Sequence, residues 1–109
     1  MVPQKNFMFA DKATEAFVSN DCINQTSDIM DLQLSGNFTS CNVVLKGKVD
    51  INADYEPLMV INLGKFTAVD AMEEAGIYEA AISGLQMLQV EIVSVEGEIT
   101  IVGRMLKEV

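Results

Sequence analysis

Across 88–105 apolar and polar residues alternate with period two, and a repeat of that kind places one side of an extended strand on a core. Leu88, Val90 and Ile92 fall on one face, with Gln89 and Glu91 on the other. Ile99, Ile101 and Met105 share a face, opposed by Glu98, Thr100 and Arg104. Glu96-Gly97 reads as the turn between two strands, 88–93 and 98–105, and Ser83-Gly84 as the break after a third over 77–82. Glycine turns at short intervals between alternating runs predict antiparallel β-structure.

The same signals continue upstream. Leu32 and Leu34 oppose Asp31 and Gln33, and Gly36-Asn37 reads as a turn. The clearest single strand is 42–51, with Val43, Leu45, Val49 and Ile51 on one face and Lys46, Lys48 and Asp50 on the other. Gly47 falls on its apolar face, which predicts a bulge or close packing by a neighbour. Residues 52–57 read as a loop, and 58–63 and 65–69 as strands around Gly64. Asp70 and Glu73 are spaced as a helix-capping pair, so 70–75 is expected to be a short helical turn or a loop. A two-helix alternative over 70–91 meets Gly76 and Ser83-Gly84, where each interior glycine costs about 1 kcal/mol.

Residues 1–30 carry the weakest pattern. Phe7-Met8-Phe9 suggests a short strand, and 11–17 a helical turn or another strand. The expectation is an all-β, antiparallel β-sandwich over 31–109, preceded by an N-terminal arm and first strands over 1–30, one domain in all. Phe7, Met8, Phe9 and Phe17 lie outside the alternating strands. They are therefore the candidate contacts of an arm that packs on the domain or reaches a neighbouring subunit.

Composition narrows the partners. With 50% hydrophobic residues and 21% charged ones, the chain is apolar for its 109 residues, which favours burial of apolar surface between copies. Its net charge of −9 repels nucleic acid, and no basic cluster interleaved with aromatics occurs. No apolar run approaches the length of a membrane span. The first residues have neither the charge pattern nor the apolar segment of a secretory signal, so assembly in a cytoplasm is expected. In that compartment Cys22 and Cys41 are expected to be free buried thiols, a disulfide requiring that their strands be neighbours.

No catalytic motif emerges. The chain has no histidine to activate a cysteine, no phosphate-binding glycine loop and no nucleophile elbow. Glu79, Glu91, Glu96 and Glu98 occupy polar-phase or turn positions, where solvated charge belongs. Asp50, Asn52 and Asp54 alternate as the start of a calcium loop does. The pattern then fails at its sixth position, Tyr55, and its twelfth, Ile61, so no metal or other cofactor is expected. Asn24-Gln-Thr26 and Asn37-Phe-Thr39 match glycosylation sequons, which matter only in a secreted chain.

Several segments together resemble a class of small tailed-phage and prophage virion proteins. They are Leu34-Ser-Gly36-Asn-Phe38, Val60-Ile-Asn62-Leu63, Gly76-Ile-Tyr78, Ser83-Gly84-Leu85, Leu88-x-Val90-x-Ile92 and Ile99-Thr-Ile101-Val-Gly103. These are jelly-roll-like sandwiches that serve as capsid decoration, head-fibre or tail accessory proteins. The resemblance covers roughly 31–104 and departs at Asn52-Ala-Asp54-Tyr55, where related chains often carry a Gly-Asn-aromatic turn. It implies a non-enzymatic virion protein assembled in a bacterial cytoplasm. The implied partners are its own copies, as a trimer, and the major capsid or another virion protein. The alternative it implies is a carbohydrate-binding or adaptor module of a tail or baseplate.

Overall fold

A computed structural model describes residues 1–108. All its regular structure is β, and no helix occurs among the described residues. The strands are β1 (Val2–Ala13), β2 (Phe17–Val18), β3 (Cys22–Ile23), β4 (Ile29–Lys48), β5 (Glu56–Pro57), β6 (Val60–Asn62), β7 (Thr67–Val69), β8 (Gly76–Ala81) and β9 (Met87–Lys107). The antiparallel, all-β expectation holds. The strands belong to one hydrogen-bonded sheet rather than two, with main order β1-β9-β4-β8-β6-β7 and with β2 and β3 on β9 and β5 on β4.

Two long strands organise this sheet. β4 and β9 have 20 and 21 residues and pair along their whole length, from Ile29↔Leu106 to Lys48↔Met87. The turns expected at Gly36-Asn37 and Glu96-Gly97 are not there. Both segments lie mid-strand and face each other, with Asn37 opposite Glu98 and Phe38 opposite Gly97. The glycines have φ of 134° and 123°. A Cβ on Gly97 would sit 2.5 Å from the Asn37 carbonyl oxygen, and one on Gly36 would collide with that of Glu98. Glycine here permits two backbones to approach where the ribbon bends, a use of the residue that looks identical to a turn in sequence.

The bend is accompanied by one bulge on each strand. Thr39 is the extra residue between Phe38↔Gly97 and Ser40↔Glu96, and Val93 the extra residue between Asn42↔Ser94 and Val43↔Ile92. Each bulge reverses which parity points inward. In β4 the buried set changes from Met30, Leu32 and Leu34 to Cys41, Val43 and Leu45. In β9 it changes from Leu88, Val90 and Ile92 to Ile99, Ile101 and Met105. All of these join Phe9, Tyr78, Ile82 and Met72 in one core. The alternation read from sequence therefore holds within each half of both strands.

Elsewhere the expected bounds shift. The strand at 42–51 ends at Lys48, and Val49 and Ile51 are exposed, because the chain leaves the sheet there for a loop. Of the two forms expected for 70–75 the loop is the one present; within it Met72 exchanges both backbone hydrogen bonds with Val43, at 3.0 and 2.7 Å, and its side chain fills the core. Residues 2–13 are strand β1, paired with β9 from Val2↔Lys107 to Ala13↔Ile99, with three register breaks. The strand suggested at Phe7-Met8-Phe9 is present and longer than expected, and it packs on the domain as the border of the sheet. Gly47 behaves as expected, since Leu85 and Leu58 occupy the space its side chain would need.

The loops at one end are joined by Asn24. Its buried amide donates to the carbonyls of Ser27, Ile82 and Leu85 at 3.1, 3.2 and 3.0 Å, and its oxygen accepts the Ser27 N–H at 2.9 Å. An amide so fully engaged holds the β3–β4 loop to the β8–β9 turn. Ser19 plays a similar part at the β2 edge, where its hydroxyl accepts the Val90 N–H at 2.9 Å.

Candidate functional site

The residues proposed from sequence do not converge. Phe9 is 2% exposed and lies in the core, with its ring over Gly103; Phe7 packs beside it, ring centroids 4.8 Å apart. Met8 and Phe17 are 53% and 43% exposed and lie on different parts of the sheet, so the four are not one contact patch. Asp50, Asn52 and Asp54 are exposed in the β4–β5 loop. The Asp50 carboxylate accepts the Asn52 N–H at 2.9 Å, the ordinary turn-forming use of such residues. No group of three or more acidic, cysteine or histidine side chains placed to hold a metal occurs among the described residues.

Cys22 and Cys41 are buried and unbonded, and burial pushes both thiols up from their ordinary value. Tyr55 donates to Asp21 at 2.6 Å, and burial with that carboxylate raises its phenol. Glu91 pairs with Lys46 at 2.5 Å, whereas Glu96 and Glu98 are exposed at the ribbon's bend. The Asn24 sequon is closed to modification in the folded state by the bonds of its amide, while Asn37 is exposed.

The convergent chemistry lies elsewhere, on the outer face of β9, β4 and β8. Register places Arg104, Asp31 and Glu79 side by side in one row across these strands, and Ile61 of β6 extends the row. The adjacent row is Met8, Val102, Gln33 and Ile77. Met8, Ile61 and Ile77 are 53%, 44% and 48% exposed, and Val102 is half-buried. Between the rows is a shallow depression lined by Asp31, Gln33, Ile77, Val102 and Arg104. An apolar surface thus surrounds three charged groups.

Those charges are incompletely matched. Oδ1 of Asp31 is shielded from solvent and has no hydrogen-bond partner. Glu79 faces it directly across the strand pair. Asp31 as a hydrogen-bond acceptor, then burial, then the Asp31 charge raise the Glu79 carboxyl above its ordinary value. A proton on Glu79 would give Asp31 a donor, and two ionised carboxylates at this spacing repel. Arg104 is exposed beside Asp31, yet the ion pairs among the described residues are Lys46–Glu91 and Lys65–Glu74, so its guanidinium is not committed.

Sequence reading placed Glu79 and Arg104 among solvated polar-phase residues and Asp31 opposite Leu32 and Leu34. Nothing local could join them. They come from three strands, and only the register brings them into one row.

No family model matches the chain, and neither does any curated protein. Two solved structures share its fold. The SPBc2 prophage-derived protein YomS superposes with a TM-score of 0.87 at 23% identity, over 96% of this chain and 95% of that one. The PBSX exported protein XepA superposes with a TM-score of 0.86 at 16% identity, over 93% of this chain but 37% of that longer one. The chain thus has the fold of these two prophage proteins: almost the whole of one, and about a third of the other.

Proposed function

We propose that the protein is a non-enzymatic structural component of a phage or prophage particle, of the capsid decoration or head-fibre kind. The observation that supports this most is the shared fold with YomS over nearly the full length of both chains. The chemistry of the outer face agrees with it. Apolar side chains around a few unmatched charges make a docking surface, in which the apolar part supplies affinity and the charges fix orientation. A component that binds only the assembled particle stabilises that state by mass action, by about 2.7 kcal/mol when its free concentration is 100 times its Kd.

The test is fractionation after induction of a phage or prophage carrying the chain. Particles are banded on a density gradient and probed with antibody to the protein. Banding with particles in regular stoichiometry is the expected result. A second reading, an exported prophage product, draws on the name of the XepA neighbour. Recovery wholly in particle-free medium would favour it and overturn the first.

A further inference from the structure

We propose that the outer face of β9, β4 and β8 is where a second copy of this chain docks, Arg104 of each copy meeting Asp31 and Glu79 of the other. The inference rests on the reading of the protein as an assembly component and names the partner that this face fits.

Self-complementarity is the reason for choosing a second copy. The one row holds an uncommitted base and two neighbouring acids, in the order Arg104, Asp31, Glu79. A two-fold axis lying between the two faces, parallel to the strands and passing over Asp31, reverses that order on the facing copy. It sets each guanidinium opposite the partner's Glu79 and next to its Asp31, so that the two facing Asp31 carboxylates are flanked by both arginines in an isologous contact. Asp31 Oδ1, which has no hydrogen-bond partner in the single chain, then lies near the partner's guanidinium. The neighbouring row, Met8, Val102, Gln33 and Ile77, supplies apolar contact without adding charge. A chain of net charge −9 repels its copies over most of its surface, so a face with its own arginine beside its acids is favoured for their approach.

Size sets the expected strength. Five strands at about 4.8 Å spacing, with about seven residues along each of the three long ones and fewer along β8 and β6, give a face about 24 Å across and roughly 500 Å² in projection. That is about a twelfth of the 6122 Å² surface and at the lower end of stable interfaces, so association is expected in the micromolar range.

Sedimentation velocity from about 1 to 100 µM tests this on three proteins: the wild type, Arg104→Glu and Glu79→Lys. The wild type should shift from monomer to dimer across the range. Each variant should stay monomeric, because its own faces now oppose like charges. An equimolar mixture of the two variants should recover the dimer, since both contacts then join opposite charges. Thermal melts and circular dichroism of each variant establish that it is folded, and Arg104 is exposed while Glu79 is only half-buried. A wild type that is monomeric at 100 µM overturns the proposal and leaves the face to a foreign protein. Variants that dimerise like the wild type also overturn it, by moving the contact to another surface. Neither outcome bears on whether the protein bands with particles, so the two readings fail separately.

Discussion

Gly97 and Glu79 show how much a single residue can decide. Gly97 combines φ of 123° with a space closed by Asn37 and Phe38. Gly84 has φ of 84° with open space, and Gly64 has neither a left-handed φ nor a contact closer than 3.4 Å. Replacement by alanine should therefore cost about 3 kcal/mol or more at Gly97, about 1 kcal/mol at Gly84 and close to nothing at Gly64. Urea denaturation of the three variants checks this ranking, and a Gly97→Ala protein as stable as Gly64→Ala would contradict the close approach at the bend. Glu79 carries a pH dependence of defined sign. Its carboxyl is raised in the folded chain, mainly through Asp31, so the folded state holds the proton more tightly than the unfolded one. This contribution to stability is present at low pH and is lost as pH rises through the raised folded value. Glu79→Gln removes the titration and the repulsion together. The variant should melt higher than the wild type at pH 7, and the gap should close as pH falls and Glu79 takes up its proton, as read by thermal melts in low-phosphate buffers.

At the scale of elements, the β4–β9 ribbon carries the fold. Val90 has no exposure and its N–H is held by Ser19, so Val90→Asp places an unpaired carboxylate in the core. The cost is several kcal/mol, enough to unfold a domain of this size, and circular dichroism should show no cooperative melt. The ribbon also explains which parts of the fold were legible in sequence. Leu32 with Leu34, Val43 with Leu45, and Leu88 with Val90 and Ile92 announce their buried faces by alternation alone. The bulges at Thr39 and Val93 are silent, because a reversal of parity next to a glycine reads like the end of one strand and the start of another. Only the 7–9 part of β1 is legible, because its register breaks bury Phe9 and Ala10 on successive residues and end the alternation. The row of Arg104, Asp31 and Glu79 depends wholly on the pairing of strands distant in sequence, which no local pattern encodes.

For the molecule as a whole, the loop ends and the strand borders matter most. The oxygens of Asp50, Asn52 and Asp54 lie in an exposed loop, where Asp50 already serves the turn. The melting temperature is expected to be the same in a chelator and in millimolar calcium. A rise with calcium that Asp50→Ala and Asp54→Ala abolish would establish a binding loop instead. The border strand β1 has a different consequence. A twelve-residue border would otherwise be a template for strand addition and runaway aggregation. Here Pro3 withholds a donor, Lys5 and Lys12 place charge along the border, and three register breaks divide it into runs too short to recruit another chain. The register breaks that shape β1 thus also leave its border a poor template for another chain.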